Sequence, residues 1–324
     1  MKRCDLASHR SFVQGVYMDN KAQLRGSVLL LLGSVIWGAA FAAQRAGMDH
    51  VGPFTFSGIR MLLAAATLSI LIPFVEKIQR TDRTRRKSEW VNQRKAGVLC
   101  GIFLFFATSL QQMGLVYTSA GKAGFITALY VVLVPMAGWI VFRKNPGKII
   151  WIGVGIAVMA LYLLCVPSDG FWLESGDLLV LGCAVCFTFQ ILCIDRYAGS
   201  VSGLRLARDE FLITGGLSMM IALVKETIIL EEIHRAVIPI LYSGIMSGAV
   251  GYTLQVFGQR DTNPAVASLL MCLEAVFAVL TGVILLGETM TKREITGCCL
   301  MLTAVILAQL SPVIMLYKRK KYQQ

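Results

Sequence analysis

LQQMGLVYTSAGKAGFITALYVVLVPMAG (residues 110–138) returns later in the chain as LQVFGQRDTNPAVASLLMCLEAVFAVLTG (residues 254–282). Gly114 falls on Gly258, a shift of 144 positions, and the same shift puts Leu110 on Leu254, Gln111 on Gln255 and Thr118 on Thr262. Ala123 then meets Ala267, Leu129 meets Leu273 and Gly138 meets Gly282 without a gap. The register runs on through Lys148 on Lys292, Gly153 on Gly297 and Ala160 on Ala304. Apolar residues match by chance in greasy sequence. Glycines, glutamines and a lysine sharing one register are harder to obtain that way, so the stretch is read as a duplication.

Working outward, apolar runs of ~20 residues recur along the whole chain, each long enough to cross ~30 Å of hydrocarbon as a helix. Ten are read, at 26–44, 54–74, 96–117, 119–142, 148–166, 176–195, 206–224, 236–258, 264–286 and 293–311. Short alternating segments of the barrel kind are missing, and helices satisfy their own backbone polar groups in lipid. The duplication carries runs three to five onto eight to ten, so the repeat unit has five helices. Two copies of an odd-numbered unit in one chain must face opposite ways. That is the inverted repeat of many secondary transporters, with the substrate site between the halves. The expected fold is therefore all-α integral membrane, ten transmembrane helices built as two inverted five-helix repeats, 26–166 and 176–311. A cytoplasmic segment, 1–25, precedes them and a basic cytoplasmic tail, 312–324, follows.

Composition agrees. The chain is 56% hydrophobic and 15% charged, against roughly 25% charged in soluble domains. Its net charge of +12 invites a nucleic-acid reading, but a reader of nucleic acid gathers its charge on one face of a soluble domain. Here 24 of 31 Lys and Arg fall on one side of the ten-span arrangement and five on the other, with Arg60 and Lys122 inside spans. By the positive-inside rule both termini are cytoplasmic, which requires an even number of spans. The first ~25 residues lack the apolar core of a cleavable signal peptide. Met18 opens MDNKAQLRG, a short cytoplasmic lead-in, so residues 1–17 read as an over-extended start. Cys183 and Cys186 form a CxxC inside an apolar run with no second pair or nearby histidine, the setting of small packing residues rather than metal or redox groups.

Trp37-Gly38 in the first run, Gly58-Ile59-Arg60 in the second, YTSAGKAGFITALYVVLVP (Tyr117 to Pro135) and NPAVASLLMCLEAVFAVLTGVILLGE (Asn263 to Glu288) together resemble the EamA-type branch of the drug/metabolite transporter superfamily. The resemblance spans residues 26 to 311 and departs from the pattern at Arg143-Lys144, where an LGE-like ending is usual, and at Ala275, where a proline is common. It implies movement of substrate by alternating access, often outward.

Several side chains inside the runs are candidates for substrate or coupling roles. Glu274 sits halfway along the ninth run, where an unpaired carboxylate costs several kcal/mol and desolvation favours the neutral acid. It is read as a proton-coupling or amine-binding group, against the plainer reading of an acid hydrogen-bonded between helices. Lys122, one turn into the fourth run, either meets an anionic group of the substrate or snorkels to the interface. Gln111, Gln112, Gln190 and Gln255 line a wet cavity or tie helices together, and Gln44 ends the first run. Tyr130 falls on Glu274 under the 144-residue shift, at similar depth on the opposite side. Trp37 and Tyr252 suit cavity walls, although aromatics at span ends are commonly interface anchors. Arg60 is read as structural, tied to a carbonyl or acidic partner, and Glu288 as solvated. Gly97-xxx-Gly101 and Gly244-xxx-Gly248 are packing seams.

Other classes fit poorly. GLVYTSAGKAG is no phosphate loop, since six residues separate Gly114 from Gly121 and Ala123 replaces the required hydroxyl. A membrane enzyme needs histidine or carboxylate clusters on helices. His9, His50 and His234 all fall outside the runs, and Glu274 reads as essentially the single embedded carboxyl, with Asp195 at a helix end. A receptor or structural membrane protein has no evident use for an inverted repeat, and no channel filter or charge ring is visible. The function read from the sequence is export of small organic metabolites, amino acids or related compounds, by a proton-coupled permease of the plasma membrane. Its partners are a small-molecule substrate, the lipid bilayer, protons and a second copy of the chain, with no nucleic acid, cofactor or metal. The alternative is a non-transport membrane protein or a membrane enzyme.

Overall fold

The structure, a computed structural model, describes residues 20–78, 87–118, 120–143, 145–166, 175–197, 200–286 and 290–321. The reading of residues 1–17 as an over-extended start and the solvated reading of Glu288 lie outside the described residues. The described chain is helical, with no strand among the described residues. Its helices are α1 (Asn20–Met48), α2 (Pro53–Ile78), α3 (Lys87–Tyr117), α4 (Ala120–Ala128), α5 (Tyr130–Phe142), α6 (Lys148–Cys165) and α7 (Ser175–Tyr197). After them come α8 (Gly203–Lys225), α9 (Leu230–Arg235), α10 (Val237–Leu241), a π-helical segment (Tyr242–Tyr252), α11 (Thr253–Arg260), α12 (Pro264–Met271), α13 (Leu273–Leu286) and α14 (Lys292–Lys321). Among the described residues nine helical stretches are long and apolar enough to cross a membrane. The seventh expected span, α8, is not one of these, because Arg205, Arg208, Asp209 and Glu210 crowd its first two turns.

Three expected spans are interrupted. The fourth breaks at Leu129, between α4 and α5, and the ninth at Cys272, between α12 and α13. The eighth changes winding through the π segment. Such interruptions are tolerated at membrane depth where protein or a cavity re-satisfies the backbone. Elsewhere local chemistry sets the ends. Asn263 caps α12 by accepting from the Ala265 amide at 3.0 Å, with Pro264 at the first helical position, where its missing N–H costs nothing. Arg143 ends α5 in the left-handed conformation, φ 53°.

The helices pack as pairs: α3 with α7 and α8, α2 with α8 and the π segment, α6 with α14, and α1 with α11 and α13. Small residues permit the closest crossings. A Cβ on Gly176 would stand 2.6 Å from the Gly114 carbonyl oxygen, and one on Gly258 would stand 2.9 Å from that of Gly26. The α2–α8 pair is fastened at both tips. Arg205 donates to Glu76 from Nε and Nη2, both at 2.8 Å. At the far end Glu226 accepts from the Phe54 and Thr55 amides at 2.9 and 2.7 Å and from the Thr55 hydroxyl.

Burial divides into two main cores. One joins α5, α6, α12, α13 and α14 around Val131, Ala157 and Leu269; the other joins α2, α3, α8 and α11 around Met61, Leu104 and Phe211. The outward faces stay apolar, with Ile140, Val224, Ile238 and Ile284 at 72 to 79% exposure, as lipid-facing helices require.

Candidate functional site

The two cores meet around a cavity, and Trp37 and Phe187 touch both. Its walls are Trp37, Ala40 and Gln44 from α1, Arg60 from α2, Gln111 from α3, Thr127 from α4 and Tyr130 from α5. They are completed by Phe187 and Ile191 from α7, Ser247 and Tyr252 from the π segment, Gln255 from α11, Met271 from α12 and Glu274 from α13. Polar atoms on an apolar frame are the usual make-up of a small-molecule site.

The broken ninth span positions the acid. Because the helix restarts at Leu273, Glu274 falls in the first turn of α13. The Tyr130 hydroxyl donates to Glu274 Oε1 at 3.5 Å, the long limit of a hydrogen bond. Opposite, Arg60 is 4% exposed, and its Nε has no hydrogen-bond partner. Among the described residues no carboxylate lies within ion-pair distance of it; its guanidinium sits over the Phe56 ring at 5.7 Å. Acid and base thus share one cavity without neutralising each other.

The amides and aromatics are fixed by one another. Gln111 donates to Thr127 Oγ1 at 3.2 Å, and Gln112 donates to Gln44 Oε1 at 2.8 Å. Trp37 packs edge-on against Tyr252 at 5.1 Å and donates from Nε1 to the Ser247 carbonyl at 3.1 Å. Tyr242 returns a bond from its hydroxyl to the Ile36 carbonyl at 3.0 Å, so the π segment and α1 are tied twice.

Of the residues singled out in the sequence, Glu274, Gln111, Gln255, Tyr130, Trp37 and Tyr252 line the cavity together. Gln190 stands one bond behind the wall, accepting from Gln255 at 3.4 Å. The Lys122 side chain lies outside the described residues. Arg60 lines the cavity without an acidic partner among the described residues. One reading needs correction. Glu274 is not the single embedded carboxyl: Glu210 on α8 is 0% exposed and Asp177 at the start of α7 is 1% exposed, the latter accepting from Thr118 at 2.6 Å. Glu210 hides in the sequence as the third member of the charged triplet Arg208-Asp209-Glu210, inside the seventh run. The available signal is its four-residue spacing with Leu206, Thr214 and Ser218, all buried on one face of α8.

A helical bundle with apolar outward faces around a central cavity that carries a few polar groups is the architecture of a multi-pass membrane carrier. The EamA-like transporter family matches residues 24–166 and again 174–310. An uncharacterized transporter of Archaeoglobus fulgidus is 32% identical over 282 residues, 87% of this chain and 84% of that one. The uncharacterized inner membrane transporter YedA of Escherichia coli K12 is 26% identical over 293 residues, 85% of this chain and 88% of that one. The threonine/homoserine exporter RhtA of Salmonella typhimurium is 27% identical over 193 residues, 59% of this chain and 62% of that one. A solved crystal structure superposes with TM-score 0.72 at 17% identity, covering 90% of this chain and 98% of the other, a likeness of fold. The chain belongs to the EamA-like transporter family, within the drug/metabolite transporter superfamily.

Proposed function

We propose that this transporter exports small zwitterionic metabolites, amino acids or related compounds, across the plasma membrane by alternating access coupled to protons. The observation that carries the reading is the unpaired Arg60 and Glu274 in one cavity. A carboxylate on the solute satisfies the guanidinium and an ammonium satisfies the acid, each by a charge-assisted hydrogen bond. Gln111, Gln255 and the Trp37–Tyr252 pair flank both with amide and aromatic contacts. The printed activity of the RhtA relative favours amino acids and the outward direction. Glu274 exchanges its proton for the solute's ammonium, which couples the two.

The ten-span inverted repeat belongs to the same reading and draws support from packing. Exchanging the five-helix halves turns the α3–α7 contact into the α11–α1 contact, and the α3–α8 contact into that of the π segment with α2. The Gly114–Gly176 crossing answers the Gly258–Gly26 crossing. Equivalent positions of two copies touch each other only along the axis that relates them. Tyr130 bonds Glu274, and Cys272 Sγ lies 3.6 Å from the Ala128 carbonyl; both pairs are separated by 144 residues, the repeat shift.

Efflux of labelled L-threonine and a panel of other amino acids from cells expressing the protein, against Glu274→Gln, tests the function. Faster efflux than from empty-vector cells, lost or made pH-insensitive by Glu274→Gln, is the expected result. Efflux unaffected by the protein across the panel overturns it. Cysteine labelling tests the topology: Met18 and Lys318 on opposite membrane faces end the inverted-repeat reading.

A further inference from the structure

Glu210 has no part in the scheme above, yet it is connected to the cavity. Its Oε2 accepts from Gln190 Nε2 at 3.2 Å. Gln190 Oε1 accepts from Gln255 Nε2 at 3.4 Å. Gln255 lines the cavity, and its Oε1 has no hydrogen-bond partner in the protein. The chain has a direction that follows from donor and acceptor inventory alone. A carboxylate only accepts. Gln190 must therefore turn its NH2 to Glu210 and its oxygen to Gln255, Gln255 must turn its NH2 to Gln190, and what remains on this cavity-wall residue is a buried acceptor oxygen without a partner.

The surroundings of Glu210 leave its charge uncompensated. Cys193 on α7, Cys100 on α3, Tyr252 on the π segment and Asp209 on its own helix are the titratable groups around it. Arg60 on α2 and Arg260 on α11, like every other described cation, stand beyond ion-pair distance. Glu210 Oε1 is buried and unpartnered. With no cation at hand, uptake of a proton is the means by which that charge can be removed.

We propose that Glu210 is a positioning residue whose protonation state sets, through Gln190, whether Gln255 offers the cavity a hydrogen-bond acceptor or a donor. When Glu210 takes a proton from water, its O–H donates to Gln190 Oε1. Gln190 then turns by a half-turn and donates from Nε2 to Gln255 Oε1, and Gln255 turns likewise to aim its NH2 at the cavity. Each state keeps the same two bonds, so only the face shown to the solute differs. The ionised state suits an ammonium or hydroxyl donor beside Gln255, and the protonated state suits a carboxylate and repels the ammonium. A proton thus acts on the solute without touching it. The proposal rests on the transport reading for its use, but not for its test.

The test is infrared spectroscopy of the purified protein in lipid nanodiscs, in a Glu274→Gln background, with glutamine isotope-labelled at its side-chain carbonyl. Lowering the pH is expected to produce a carboxylic acid band together with a shift of a labelled glutamine carbonyl. Glu210→Gln is expected to remove one component of that band, leaving those of Asp177 and the other carboxyls, and to abolish the glutamine shift. Gln190→Leu is expected to keep the acid band and lose the glutamine shift, and Gln255→Leu serves the same comparison if Gln190→Leu does not fold. A glutamine shift that survives Glu210→Gln, a Glu210-dependent acid component that titrates with no glutamine response, or no Glu210-dependent component at all overturns the proposal. No solute need move for this readout, so a failed efflux assay leaves it standing.

Discussion

Arg60 separates two accounts of the bundle, because a structural arginine and a binding arginine respond oppositely to neutral replacement. A central arginine costs ~2.5–3.5 kcal/mol on insertion scales. Here no carboxylate repays it, and the Phe56 ring at 5.7 Å returns only ~1 kcal/mol. Arg60→Met keeps the length of the side chain and removes the charge, so it is expected to stabilise the folded protein by about 1.5–2.5 kcal/mol. The same change deprives the solute's carboxylate of a charge-assisted bond worth ~1.5–3 kcal/mol, a loss of about 10- to 150-fold in affinity. Unfolding in mixed detergent micelles gives the first quantity. Competition for L-threonine efflux by unlabelled threonine and by its decarboxylated amine gives the second, and the variant should lose preference for the amino acid over the amine. A variant less stable than the parent by 1 kcal/mol or more refutes the reasoning, since it would mean that the guanidinium holds the fold together.

Gly176→Ala and Gly258→Ala each drive a methyl to within 3 Å of a facing carbonyl oxygen; both are expected to cost ~1–3 kcal/mol, read as lower melting temperatures in detergent. Glu226→Gln removes a carboxylate that takes three hydrogen bonds from Phe54 and Thr55; a destabilisation of ~1–2 kcal/mol is expected, and an unchanged melting temperature would show that Glu226 does not cap α2. Trp37→Phe keeps the ring against Tyr252 but loses the bond to the Ser247 carbonyl; substrate affinity is expected to fall a few-fold with the fold intact, measured by efflux half-saturation and melting together.

The fold was largely readable because lipid leaves few alternatives: length, apolarity and charge asymmetry alone located helical stretches at each of the ten runs. What sequence could not convey was discontinuity. Nothing in ITALYVVL or LLMCLEAV announces a break at Leu129 or Cys272, since both stretches are good apolar helix and the interruption answers to packing across the bundle. The site was legible wherever a polar group stood alone in apolar sequence, as Glu274, Gln111 and Gln255 do. Glu210 failed that test because it does not stand alone but follows Arg208 and Asp209, although only the 3.6-residue period, and not adjacency, decides which way a helical side chain points. Arg60 was noticed, but a lone arginine within a run carries no sign of whether an acid or a carbonyl waits across the interface.

The α2–α8 pair, riveted by Glu76–Arg205 at one tip and Glu226–Thr55 at the other, behaves mechanically as a strut. A member pinned at both ends can turn about its long direction but cannot splay at either mouth. Under the proposed alternating access, the helices around this pair are then the ones expected to swing, with the strut as the line about which they do so.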